Sequence, residues 1–361
     1  MVTGFPGFIA SRLLARLADQ ERGCFHLLVE PRFAKAAEDA CRQIEGAVPA
    51  FRNRWRILPG DLARSGLALS DGDRSDLARR VTRVWHLAAV YDLAVEERLA
   101  REVNVEGTRR LLDLCEGMHG LEAFFHISTC YVAGDRTGRI LESDLDCGQR
   151  FKNHYESTKY GAEAEVRSRS DRLPVVVFRP AIVVGDSKTG ETAKADGPYF
   201  MMGLLLRLPH WVPMVRPGAS RAPVNLVPVD FLVEALAALS ADPRAVGRTF
   251  HLADPNPLSA REILDILCDA VGRKRPVATA PRALAVPLLS LGPVQRRSGI
   301  PAQALPYFDH PAEFDVANTM DLLRGTGVSC PSAADVLPVL VAWAREHKEI
   351  FKRPARLPPN D

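Results

Sequence analysis

VTGFPGFIAS, Val2 to Ser11, is the stretch on which the rest of the chain depends. Gly4, Gly7 and Ala10 stand at fixed intervals, in the pattern G-x-x-G-x-x-A rather than the commoner G-x-G-x-x-G. A strand entering this turn must reverse sharply and begin a helix at once. Gly4 permits the backbone angles of that reversal. Gly7 puts no side chain between the backbone and a pyrophosphate, and Ala10 lets the helix pack closely on a sheet. A helix over Ile9 to Leu17 would present free N–H groups and a partial positive charge, which suits a phosphate. Only Met1 to Thr3 precede Gly4. Central strands usually run about five residues, so the expectation is an upstream start or an unusually short first strand.

Outward from this turn, the chain alternates apolar runs with helical patterns. Phe33 to Ile44 reads as a helix, and Cys24 to Glu30, Arg54 to Leu62, Val81 to Asp92 and Leu121 to Asp135 carry successive strands. Phe151 to Arg169 is a strong helix pattern, and Leu173 to Gly185 reads as one long strand buried on both faces. The expected fold is therefore α/β, a Rossmann-type doubly wound parallel sheet with a smaller, mixed C-terminal region. Its core is expected over 1–185, completed by about 223–255, with 186–222 and 256–361 as the substrate-binding region. Tyr199 to Val215 is apolar and reads either as a hydrophobic ligand site or as a core helix. The tail from Arg282 mixes apolar segments and prolines before a last helix over Ala333 to Glu346.

The 361 residues are 47% hydrophobic, enough for a large core. Forty-seven basic residues against 44 acidic ones leave a net charge of +3, which argues against a nucleic-acid surface. Seven scattered cysteines without a CxxC pair point to thiols in a reducing, cytoplasmic setting, with neither a disulfide framework nor a metal site. No signal peptide is visible, and no apolar run reaches the roughly 18 residues of a membrane span.

Strand ends carry the candidate ligand contacts. Glu30, closing the second strand, would accept hydrogen bonds from ribose hydroxyls and favour NAD, whereas Arg32 would hold a 2′-phosphate and favour NADP. Solvated loop charges are the bland alternative. Asp61 after the third strand could bond adenine or merely cap a turn. His86 reads as a satisfied buried histidine. Ala88 and Ala89 allow close approach to a cofactor. Asn104 starts or caps a helix, or anchors backbone near the nicotinamide. Ser128, Thr129 and Cys130 end the fifth strand, hydroxyls toward the crevice and thiol in packing.

Of six tyrosines, only Tyr155 has a lysine four residues on, Lys159, so the two share a helix face. A cation about 5 Å from the phenol, at an effective dielectric of about 20, would favour phenolate by roughly 3 kcal/mol. The expectation is a phenol tuned down toward neutrality that exchanges a proton with a carbonyl oxygen, with Thr129 holding that oxygen.

Taken together, the turn, Asp61, HLAA at 86–89, Asn104, Thr129, Tyr155-x-x-x-Lys159 and Arg179-Pro180 resemble an extended short-chain dehydrogenase/reductase, from residue 2 to about 255. GFPGFIAS, HLAAVYDLAV, NVEGTRRLLDLC and NHYESTKYGAE are most similar to the fatty acyl-CoA reductase and thioester-reductase group, the male-sterility type. The resemblance implies catalysis by Thr129, Tyr155 and Lys159. It implies a cofactor lined by Gly4, Gly7, Phe8, Ile9, Asp61, Ala88, Ala89, Asn104 and Pro180, with Lys159 on the nicotinamide ribose; Glu30, Arg32, Leu62, Tyr91 and Ile182 complete the expected cofactor contacts. It also implies reduction of a fatty acyl thioester to aldehyde or alcohol, and a homodimer. The group usually has a basic residue where Glu30 stands, which leaves NADP against NAD open. Competing readings are a hydroxysteroid-type or ketone dehydrogenase, a nucleotide-sugar epimerase, and a non-catalytic cofactor sensor. Cys130 and Tyr131 after Thr129, where sugar dehydratases have an acid, argue against dehydration.

Overall fold

The computed structural model describes residues 1–91, 95–217, 221–280, 307 and 310–351. It divides into two compact units. The first comprises Met1–Ala181, Asp230–Pro255 and Glu313–Ser329, and the second Ile182–Val229, Asn256–Ala312 and Cys330–Asp361.

In the first unit, β1 (Val2–Thr3) leads through the glycine turn into α1 (Phe8–Gln20). Then come β2 (Phe25–Val29), α2 (Ala34–Ala47), β3 (Trp55–Pro59), α3 (Asp71–Arg80) and β4 (Arg83–His86). α4 (Glu97–Arg101) runs through one π-helical turn, Glu102–Glu106, into α5 (Gly107–Glu116). β5 (Ala123–Ile127), the short β6 (Gly138–Ile140), α6 (His154–Arg167) and β7 (Val175–Pro180) follow. The seven-stranded sheet has the order β11-β7-β5-β4-β1-β2-β3, where β11 is Thr249–Leu252, and every pairing is parallel. The chain winds outward from β1 in one direction as far as β3, then crosses to β4 and winds the other way. The switch point thus lies between β1 and β4, where ligands of such sheets sit.

The two faces of this sheet are filled differently. One carries an aromatic row across β4, β5, β7 and β11: Trp85 stacks on Phe125 at 4.2 Å, Phe125 on Phe178 at 6.0 Å, and Phe178 lies 5.7 Å from Phe250. The other packs Val84, Leu111, Leu112, Phe124, Val166 and Val177 into a core cluster. α1 buries Leu13, Leu14 and Leu17 almost completely, each such side chain contributing about 1.5–3 kcal/mol.

The run Leu173–Gly185 is not one strand. β7 stops at Pro180, and β8 (Ile182–Val184) pairs instead with β10 (Leu226–Pro228) in a separate sheet of the second unit. Ala181 N–H still bonds the carbonyl of Leu252, whereas Ile182 N–H bonds Asn225. The second unit also holds α7 (Pro198–Arg207), the parallel pair β9 (Val215–Pro217) and β12 (Ala278–Ala280), α9 (Ala260–Ala270) and α11 (Ala333–Glu346). Tyr199, Met202, Leu205, Leu267, Leu337 and Leu340 form its core, so α7 packs as a core helix. The first unit is completed by α8 (Val229–Ala241) before β11, and by β13 (Ala312–Phe314) and α10 (Ala317–Leu323). Asp92 and, in the tail from Arg282, residues 282–306, 308–309 and 352–361 lie outside the described residues. Among the described residues no helix is long and apolar enough to cross a membrane.

Candidate active site

At the switch point, Gly4 has φ +84°. A Cβ there would sit 2.7 Å from the Ala88 nitrogen, so β1 and the end of β4 approach too closely for any other residue. Gly7 is the N-cap of α1 with ordinary φ −61°. Its constraint is local: a Cβ would meet the Gly4 carbonyl oxygen at 2.7 Å. No side chain caps α1 and no acid stands in its first turn, which leaves its positive end, at Phe8 and Ile9, suited to a pyrophosphate. These are the features a dinucleotide cradle needs.

Beneath the turn runs a buried chain of hydrogen bonds. Thr3 Oγ1 accepts from the Ala88 N–H and donates to His86 Nδ1 at 2.8 Å. His86 Nε2 lies 2.8 Å from Thr108 Oγ1, whose proton goes to the Asn104 carbonyl at 2.6 Å. The directions fix a neutral imidazole protonated on Nε2. Burial agrees, holding His86 down at about 3. The histidine is thus the satisfied core residue expected of it. Its effect is to tie β1, β4 and the helix of Asn104 together.

Asn104 neither starts nor caps a helix. It lies inside the π-helical turn between α4 and α5, buried, and clasps residue 90 in both directions. Its Oδ1 accepts from Val90 N–H at 2.8 Å, and its Nδ2 donates to Val90 O at 3.3 Å and to Thr158 Oγ1 at 3.0 Å. The wider turn allows one side chain to serve the β4 loop and α6 together. Such turns concentrate at functional sites.

Thr129, Tyr155 and Lys159 come together on the ends of β5 and α6. Asn153 caps α6 by accepting from Glu156 N–H. Thr129 and the Tyr155 hydroxyl are hydrogen-bonded to one another. Thr129 also donates to the Pro180 carbonyl at 3.4 Å. Tyr91, exposed, sets its ring edge-on to Tyr155 at 4.8 Å. Lys159 is 3% exposed and its Nζ donates to the Ile127 carbonyl at 2.6 Å. Loss of water lowers the ammonium to about 8.

The phenol goes the other way from the sequence expectation. Burial raises Tyr155 above its usual value, with the Thr129 bond opposing and the Glu156 carboxylate adding to the rise. A Coulomb estimate counts the lysine but omits the water that both groups lose, and here that loss dominates. At neutral pH Tyr155 is a proton donor next to a mostly protonated lysine.

Other expected contacts are distributed unevenly. Glu30 and Arg32 are not alternatives: Arg32 grips the Glu30 carboxylate through Nε at 2.7 Å and Nη2 at 3.0 Å. Asp61 accepts from Ala63 N–H at 2.8 Å, closing its own turn. Leu62 packs into the core cluster, its Cβ 2.9 Å from where a Cβ on Gly107 would fall. Ala88 and Ala89 are half-buried behind β4. Pro180 ends β7, but Ile182 is the first residue of the second unit. Ser128 turns from the strand end to donate to Glu163 Oε2 at 2.7 Å, and Cys130 donates to the Arg179 carbonyl. Glu163 escaped the sequence reading, although an acid four residues beyond Lys159 on the same helix face was the available signal.

The parallel sheet, glycine cradle and Tyr155/Lys159 pair are those of an extended short-chain dehydrogenase/reductase. The NAD-binding family profile described as Male sterility protein matches residues 2–236, and the chain belongs to that family. It is 27% identical over 277 residues to "Fatty acyl-CoA reductase wat" of Drosophila melanogaster, covering 66% of this chain and 53% of that one. It is 28% identical to "Glycine betaine reductase ATRR" of Emericella nidulans, covering 74% and 22%. The chain therefore spans about half the length of the first relative and less of the second. In structure it is similar to the terminal R domain of the myxalamid PKS-NRPS biosynthetic pathway, with TM-score 0.80, 24% identity and coverage of 96% and 90%. The cofactor of the family is a nicotinamide dinucleotide, and the uncapped α1 and the Gly4–Ala88 approach fit one.

Proposed function

We propose that this chain reduces a fatty acyl thioester to the aldehyde, with Thr129, Tyr155 and Lys159 carrying the proton chemistry. The observation that carries this reading is geometric: the Tyr155 hydroxyl meets Thr129 at the end of β5, and Lys159, one helical turn on along α6, reaches the Ile127 carbonyl of the same strand. A reduced nicotinamide dinucleotide, held at the turn of Gly4 and Gly7, would supply hydride to the carbonyl carbon. Thr129 and Tyr155 hold the carbonyl oxygen, and Tyr155 gives it a proton as negative charge develops there. Lys159 then stabilises the phenolate that remains. Collapse of the tetrahedral adduct breaks the carbon–sulfur bond and releases a thiol. A phenol held in its protonated form suits this reductive direction, and the fatty acyl-CoA reductase relative supports the thioester as substrate. We take the second unit, with its apolar core, as the substrate-recognition part.

For the cofactor, we infer that both dinucleotides are accepted and that NADH is preferred. Glu30 keeps Arg32 engaged, so a 2′-phosphate must draw the guanidinium away while facing the carboxylate. Incubation with a long-chain acyl-CoA and either dinucleotide tests both statements. The expected result is aldehyde or alcohol with one free thiol per acyl group, faster with NADH, and a swing toward NADPH of about tenfold in Glu30→Ala. Turnover of ketone and alcohol pairs without thiol release would favour the dehydrogenase alternative.

A further inference from the structure

Below the Tyr155/Lys159 pair lies a fully buried carboxylate that the chemistry above does not use. Glu163 is 0% exposed and follows Lys159 by one helical turn. Among the described residues, every hydrogen bond to it comes from an element bordering the site. Ser128 Oγ donates to Oε2 at 2.7 Å from the residue next to Thr129. Arg179, itself 1% exposed, donates from Nη2 at 2.7 Å and from Nε at 3.0 Å. Arg167 Nε adds a bond of 2.9 Å from the end of α6.

The structure assigns Glu163 as the positioning residue of the proton-transfer pair: it fastens α6 to β5 beside Thr129 and to β7 at Arg179, and sets a negative charge behind Lys159. The assignment rests on the reading of Tyr155 and Lys159 as that pair. Arg179 is held in turn by His251 Nε2 at 3.1 Å and by the Asp144 carbonyl at 2.6 Å, so the carboxylate has little freedom. The groups facing Lys159 are few. Tyr155 and Glu163 share its helix, His86 approaches from β4, and His126 and the Ile127 carbonyl from β5. Both imidazoles are kept neutral by burial. Among the described residues Glu163 is the one carboxylate whose charge supports the ammonium, opposing the burial that lowers it. Without it, Lys159 would lose its proton nearer neutrality and would no longer stabilise the phenolate.

The test is the titration of Lys159 in the cofactor-free protein, read by NMR of its labelled Cε and assigned with Lys159→Arg. In Glu163→Gln the midpoint is expected to fall by about one pH unit. The alkaline limb of kcat/KM should follow it, with loss of about fivefold at pH 8. Removing the partner of buried Arg179 can unfold the protein. In that event Arg167→Gln, which takes away a half-exposed cation and leaves the buried pair, should raise the midpoint by a few tenths of a pH unit. A folded Glu163→Gln protein with an unmoved midpoint, or a fall in Arg167→Gln, overturns the assignment. The NMR result does not depend on substrate. An enzyme inert toward thioesters whose Lys159 midpoint still moves would sink the proposed function and leave the electrostatic coupling standing.

Discussion

The two units bury different kinds of residue. The first encloses His86, Asn104, His126, Thr129, Lys159, Glu163 and Arg179, nearly all hydrogen-bonded side chain to side chain or to a strand-end carbonyl. The second has a core of Tyr199, Met202, Leu205, Leu267, Leu337 and Leu340, at the edge of which Tyr199 Oη accepts from Gly185 N–H at 2.9 Å. Buried polar groups have geometric requirements that apolar packing lacks. The first unit is therefore built to hold atoms in place, and stability is given up there for chemistry. The second relies mainly on apolar packing, with buried Arg216, Asn225 and Arg273 as its polar exceptions.

This contrast breaks first at Tyr155. Tyr155→Phe should lower kcat by about 100-fold or more while dinucleotide affinity, by calorimetry, stays within about threefold. A variant with wild-type kcat would remove the first unit's claim to the chemistry.

Lys159 sharpens the comparison through stability. Its folded pKa, about 8, lies below the unfolded value near 10.5. A lysine depressed in this way favours the folded state only when deprotonated. That contribution is complete above the unfolded pKa and is lost as pH falls through about 8. Lys159→Met should therefore be more stable than wild type at pH 7, on the order of 1–3 kcal/mol by denaturant unfolding. The gap should close between pH 8 and 10.5 as wild type stabilises. A less stable variant at pH 7 would mean that the buried ammonium is a structural asset.

In the second unit, Tyr199→Phe removes one hydroxyl from a core position that is 1% exposed. It should cost about 1 kcal/mol of stability, since Gly185 N–H loses its acceptor, and change kcat less than about twofold. A tenfold loss of kcat would show that the second unit also positions reacting groups.

The pattern of what the sequence revealed follows the same division. The G-x-x-G-x-x-A turn and the strand–helix alternation were legible because each is a local constraint. Gly4 answers to its own φ and to one neighbour. The Tyr155/Lys159 pair was legible because helical spacing alone puts the two on one face. The end of β7 was not legible, since Leu173 to Gly185 is uniformly apolar and the change of sheet at Ala181 is set by pairing with Asn225 and Leu252. The π-helical turn at Asn104 left no mark, because its sequence is an ordinary helix sequence. Glu163 was not legible, since an acid on an amphipathic helix is unremarkable and its partners Ser128 and Arg179 come from other elements. The error at Tyr155 was one of kind: spacing gives the attraction between charges, whereas desolvation depends on the complete fold.

The most direct test of the account is the pH dependence of kcat/KM for thioester reduction by the unmodified chain. A neutral Tyr155 backed by a protonated Lys159 predicts a plateau below about pH 7 and a decline through about pH 8, approaching tenfold per pH unit. A rate that holds level to pH 10, or that rises through pH 8, would contradict it.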